Sequence, residues 1–267
     1  MAKNSSNLYN ASWNLFDNID FYEKSNILLN IIARDDIDNF YKYMEENTNI
    51  EVIASYITKN KMEISEDLFK INFVKTVAAF LLIYPYKNIT KIEILITDYG
   101  FVLDKNFLEC GRNYCTMDLL ILFHKYFDLA QYINEIANIF QKICFNISID
   151  GIKQFITMGF NITDLINLTN DNKYEATVWY AAIENEDPDI LKYLLEQNVN
   201  FKKHELEMVK QCVDIDGDKH LKLLINYGVN LEFLNIVPNE RTMNIYNLLA
   251  SNGLGPEKII TLFTSEK

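Results

Sequence analysis

A chain of 267 residues with 49% hydrophobic content has ample material for a buried core, and its 17 Phe, 16 Tyr and 2 Trp exclude a disordered polymer. Its formal charge of −12 creates a field that repels phosphate backbones and acidic membrane surfaces; this argues against nucleic-acid and membrane binding and favours solubility and basic partners. Eight Gly and four Pro are too few for a chain of many tight β-turns, so all-α is the expected class.

The opening Met1-Ala2-Lys3-Asn4-Ser5-Ser6 lacks an apolar leader core, and no apolar run approaches the roughly 18 residues of a membrane span. Cys110, Cys115, Cys144 and Cys212 form no dense framework, which fits a reducing cytoplasm better than an oxidising exterior. Frequent Asn and Ile beside rare Arg is the bias of AT-rich codons, as in some large DNA viruses, intracellular bacteria and protists. Glycosylation-like matches such as Asn88-Ile89-Thr90 are then chance products of abundant Asn.

In chain order, residues 1–24 carry Trp13, Leu15, Phe16, Phe21 and Tyr22 and read as an N-terminal cap that shields the open end of a repeat stack; a short docking motif is the rival reading. From 25 to 260 six segments then share one grammar. They run from Asp36 to Asn47, Asn88 to Gly100, Ser148 to Gly159, Asp187 to Asn198, Asp216 to Gly228 and Thr242 to Gly253. Each opens on a side chain able to accept from the unpaired N–H groups of a helix's first turn, and each closes on Gly or Asn, the residues that best tolerate the left-handed backbone of a helix stop. Pro188 sits in an opening, where its missing N–H costs little.

Between these signals apolar residues recur at helical spacing, as in Ile190, Leu191, Leu194 and Leu195, or Leu221, Leu224 and Ile225. After the stops come Asn47-Thr48-Asn49, Gly159-Phe160-Asn161, Asn198-Val199-Asn200 and Gly228-Val229-Asn230, expected to turn the chain outward. A second helix is expected upstream of several of these segments, over 27–34, 73–82, 135–144, 177–185 and 206–213. Ala33, Ala78, Ala79, Ala137, Ala181 and Ala182 would let such helices approach closely. Irregular intervals at 51–72, 104–130 and 163–174 hold degenerate repeats, insertions or extra helices. Leu254 to Lys267 covers the far end, with 261–267 as a tail.

These residues resemble the ankyrin-repeat family, whose signature is Thr-Pro-Leu-His-x-Ala over a period of about 33 residues. Thr177-Val178-Trp179-Tyr180-Ala181-Ala182 is the best match, continuing through Asp189 to Leu195 and on to Asn198-Val199-Asn200. Residues 206–231 repeat the outline, 25–50 do so less closely, and Thr-Pro-Leu-His is nowhere intact. The resemblance implies an all-α, ankyrin-like helix-turn-helix solenoid with irregular insertions, presenting a concave face and projecting turns to a protein partner. Together with the codon bias it suggests a viral or intracellular-microbe factor acting on a host protein.

Chemistry-bearing residues were weighed against that expectation. Cys110, Cys115, His124 and Cys144 make a poor zinc set, because Cys-x4-Cys is long and His124 ends the apolar run from Leu119. Asp214-Ile215-Asp216-Gly217-Asp218 lacks a calcium loop's Gly at the sixth place and Glu at the twelfth, where Lys219 and Ile225 stand. His124, His204 and His220 lie in no known nucleophile or metal motif. No catalytic residue, metal or cofactor is assigned; an enzyme site built around a histidine with a cysteine or carboxylates is the alternative. Glu184, Glu186, Asp187 and Asp189 suit a solvated loop or a basic partner, and Tyr174, Trp179 and Tyr180 suit interface anchors, with a packing position the favoured reading for Trp179. Asp171, Lys173, Tyr174, Glu175 and Glu184 are the expected partner-binding residues.

Overall fold

The computed structural model describes residues 19–83, 88–170, 177–197, 199–215, 217–229, 231 and 243–252. Among the described residues every regular element is helical and no strand occurs, the class that sparse Gly and Pro led us to expect. No helix among them is long and apolar enough to cross a membrane. The chain divides into two compact units, Met1–Leu129 and Ala130–Lys267.

The first unit contains α1 (Ile19–Arg34), α2 (Ile37–Thr48), α3 (Ile50–Lys59), α4 (Glu66–Ile83), α5 (Ile89–Thr97), α6 (Lys105–Gly111) and α7 (Met117–Tyr126). Each helix from α1 to α5 packs on the next, α6 leans on α4, and α7 leans on α5. The starts obey local chemistry: Asp36 accepts from the Asn39 N–H at 3.0 Å, Asn49 from Glu51 at 2.8 Å, and Asp104 from Phe107 at 2.8 Å. Gly100 closes the α5 turn at φ +71°, and the Phe101 N–H then donates back to the Leu95 carbonyl. Phe101, Phe107 and Phe123 meet edge-on or stacked beneath it, the closest ring centroids being 4.9 Å apart.

Several expectations are corrected in this unit. Asn47 is not a left-handed stop; it lies inside α2 and donates its side chain to the Tyr43 carbonyl, and the chain passes straight into α3 because Asn49 opens the next helix. Asn88 precedes α5 without capping it, its buried amide donating instead to the Leu81 carbonyl at 3.4 Å. Ala33 is exposed and mediates no close approach, whereas Ala78 is fully buried. Unforeseen left-handed positions occur at Asp35 and Lys61, with φ of 54° and 52°. The expected boundary between 24 and 25 falls within the continuous helix α1.

The second unit contains α8 (Ile133–Ile143), α9 (Ile149–Thr157), α10 (Ile162–Asn170), α11 (Val178–Glu184), α12 (Pro188–Leu195), α13 (Glu205–Asp214), α14 (Asp218–Asn226) and α15 (Met243–Ser251). Helix α8 packs on α11 and α11 on α13; in parallel, α9 packs on α12 and α12 on α14. Helix α10 lies along α8 and also touches α11, and α15 packs on α14. Fully buried Phe140 of α8 and Phe155 of α9 meet edge-to-face at 5.0 Å, and Ala137, Ala181 and Ala182 are buried where helices crowd.

Here the start and stop signals work as expected at Ser148, Thr177 and Asp187, each of which accepts a first-turn N–H, and at Gly159 and Gly228, with φ of +88° and +76°. Pro188 occupies the first turn of α12. Asn161 and Asn200 do not simply turn the chain outward: their side chains accept from the Thr163 and Lys202 N–H groups and open the following helical segments. The irregular intervals are largely filled by helix, with α3, α6, α7 and α10 in or across them. Asn198, Asp216, Asn230, Thr242 and Gly253 lie outside the described residues, and Gly217 precedes α14 without a side-chain cap.

Candidate functional site

The best-matching motif separates two neighbouring aromatic residues. Thr177 caps α11, which sets the helix phase so that Trp179 is fully buried, its ring edge-on to Phe201 at 6.2 Å, while Tyr180 is 37% exposed. Trp179 is thus a packing residue. Tyr180 instead meets Phe145 edge-on at 6.0 Å, and the Lys142 ammonium lies 5.8 Å from the Phe145 ring.

One turn along α11 from Tyr180, half-buried Glu184 accepts a hydrogen bond from the Gln211 amide of α13. Phe145, Tyr180, Glu184 and Gln211 therefore form a continuous ridge, with Lys142 at one end and exposed Lys210 beside the other. Aromatic side chains are enriched where proteins meet, with charged groups kept to the rim, and the Phe145–Tyr180 pair is the part of the ridge that has this character. No pattern in the sequence marked Phe145 or Gln211, because each joins the ridge through a helix far away in the chain.

Of the expected binding residues, only Glu184 is among those the structure describes; Asp171, Lys173, Tyr174 and Glu175 lie outside them. Glu186, Asp187 and Asp189 are exposed, but Asp187 caps α12 and its own N–H is held by the Asn185 side chain at 2.9 Å. Asp187 is accounted for by the helix start.

Asn185 is the polar centre of the unit. Its buried amide donates to the carbonyls of Cys144 and Ile147 at 2.9 and 3.0 Å, tying the α11–α12 turn to the α8–α9 turn. The next pair adds His220, a buried imidazole hydrogen-bonded to the Asn185 backbone carbonyl and held below its ordinary pKa chiefly by burial.

Of the four cysteines, Cys144 and Cys212 are buried as small packed side chains and Cys115 is half-buried, while the side chain of Cys110 lies outside those the structure describes. Burial pushes Cys115 and Cys212 up to about 12 and raises Cys144 as well, away from the thiolate that nucleophiles and metal ligands require. His124 is exposed. Among the described residues no group of three or more His, Cys, Asp or Glu side chains is arranged to hold a metal ion. Asp218 begins a helix in the stretch weighed as a calcium loop.

The first unit carries surface ties of another kind. Tyr41 donates to Asp98 at 2.8 Å, and Lys125 and Tyr126 both donate to one oxygen of Glu93 at 2.7 and 2.6 Å. The Lys125 and Tyr126 donors hold Glu93 below the usual carboxylate range, and Thr97 with Tyr41 does the same for Asp98. These carboxylates are already engaged as links between helices.

Comparison with protein-family models, with curated proteins and with solved structures returned no match.

Proposed function

We propose that the second unit is an ankyrin-like stack of helix pairs that binds a protein partner along the ridge Phe145, Tyr180, Glu184 and Gln211. The supporting observation is the double succession of packing, α8 on α11 on α13 beside α9 on α12 on α14. Two parallel rows are what arises when each helix pair buries its apolar side against the next, since one pair alone cannot shelter it. Consecutive first helices then hold their outward residues in register, so aromatic and charged groups distant in sequence become one surface.

The partner is a protein; the chain's overall charge of −12 favours a basic one at long range, while Lys142 and Lys210 call for acidic or polar groups opposite the ends of the ridge. The chain acts as an adaptor or scaffold in cytoplasm; an origin in a virus or intracellular microbe acting on a host protein fits the Asn- and Ile-rich, Arg-poor composition. The test is affinity capture from the native cell with wild type, Tyr180→Ala and Phe145→Ala in parallel. A partner retained by wild type and lost by both variants, with unchanged helical circular dichroism, is the expected result. Equal retention by all three folded proteins would remove the ridge from the interface.

A further inference from the structure

His220 occupies a position where a sibling helix carries an aliphatic residue. It stands as far before Gly228 as Ile190 stands before Asn198, and Ile190 is fully buried. At 6% exposure His220 is equally part of the packed interior, yet it is a base that titrates near neutrality. One bond ties its ring to the Asn185 backbone carbonyl, and Nε2 is buried with no hydrogen-bond partner.

We propose that His220 is an acid-operated latch whose protonation loosens the α13–α14 pair from the turn at Asn185. Neutral imidazole fits its place, donating one N–H and leaving a bare lone pair inside. Protonation turns that lone pair into a second N–H with no acceptor beside it and adds an enclosed charge, so the packed arrangement resists it. The charged groups acting on the ring are Asp218 and Asp187, which favour the cation, and Lys219, which opposes it. The buried faces of α12 and α13 supply Ile190, Leu191, Leu194, Met208, Val209 and Cys212, whose thiol stays neutral in acid; α15 carries no charged residue. Burial outweighs the two carboxylates, and the ring is held below its ordinary value of 6.5.

Because the folded pKa lies below the unfolded one, the contribution of neutral His220 is complete above about pH 6.5. It is lost as pH falls from 6.5 through the folded value. Over that window the wild-type unfolding constant is expected to rise up to about tenfold per pH unit relative to a variant without the imidazole.

The experiment uses the full chain. Urea denaturation from pH 7.5 to 5 compares wild type with His220→Ile, which borrows the sibling residue, and with His124→Gln and His204→Gln as controls. NMR titration of the wild-type imidazoles and pH-corrected amide exchange are measured alongside. The latch predicts a sub-6.5 titration for His220, a flatter pH dependence for His220→Ile alone, and loss of protection in α13 and α14 before α8. Parallel curves for wild type and His220→Ile, an ordinary or raised pKa, or simultaneous loss of protection throughout the unit would each overturn it. If His220→Ile does not fold, the wild-type titration and exchange order decide.

Discussion

Lys91 offers a sharp test of how the first unit is held together. Its side chain is 0% exposed on α5, and its ammonium meets the carboxylate of Asp35, which is 58% exposed. Asp35 also has a left-handed backbone, with φ of 54°. Desolvation thus falls on the lysine, so the two halves of the pair differ in what their removal leaves behind. Asp35→Gly relaxes the backbone but takes the carboxylate from a buried ammonium; because that carboxylate is 58% exposed, the cost is expected at the low end of the range for buried pairs, about 3 kcal/mol. Asp35→Ala abandons the same ammonium without that relief and should lie about 1 kcal/mol below Asp35→Gly, because its Cβ keeps the left-handed strain. Lys91→Met fills the same space with apolar atoms and leaves a carboxylate that water can reach; its effect is expected within about 1 kcal/mol of neutral, on either side. Asp35→Gly with Lys91→Met should be at least as stable as Lys91→Met alone, any surplus being the strain, about 1 kcal/mol, that Gly relieves at φ 54°. Urea denaturation followed by helical circular dichroism reads the difference: with a slope of about 1–3 kcal/mol/M, 3 kcal/mol moves the midpoint by roughly 1 M or more. A Lys91→Met variant as unstable as Asp35→Gly, or simple additivity in the double variant, would refute this account of the pair.

Gly228→Val is expected to cost about 1 kcal/mol or more, and Gly228→Asn less, because a Cβ there has nothing within 4 Å and the penalty is purely that of φ +76°; equal chemical stability of Val and Gly forms would count against it. Asn185→Ala strands two buried carbonyls at about 1–3 kcal/mol each, and Asn185→Asp, which cannot donate, should be no better; rescue by Asp in a thermal melt would show that donation is not what matters. Adjacent aromatics should diverge, Trp179→Ala losing about 3–5 kcal/mol and Tyr180→Ala under about 1 kcal/mol, as measured by denaturation midpoints.

The helices were legible where each step was local. Ser148, Thr177 and Asp187 opened helices within a residue of expectation, and Gly100, Gly159 and Gly228 adopted positive φ, because a cap depends on atoms a few bonds apart. Asn47 misled because Asn serves helix starts as readily as helix stops, and Asn49 competed for the same junction. Lys61 is left-handed without any signal in its residue type, and Asp35, a type that does tolerate positive φ, is masked by Asp36 beside it, which serves as the helix cap. The ridge was legible at Glu184 and at the aromatic Tyr180, but Phe145 and Gln211 reach it only through packing of α8 and α13 against α11. The role of Asn185 was similarly hidden, since nothing in a lone Asn says that it will bridge to a turn some forty residues earlier.

Asn49, Asn161 and Asn200 each open a fresh helical segment within a few residues of the previous helix's end. A junction that both finishes one rod and licenses another needs no long connector, so a rod can be spliced in or deleted there while its neighbours keep their own punctuation. Helix α10, opened by Asn161 between α9 and α11, is punctuated in this way, although its buried Leu165 and Ile166 make it part of the core. The joints are therefore local, each set by one Asn side chain, while the lengths of the rods are set by what they bury.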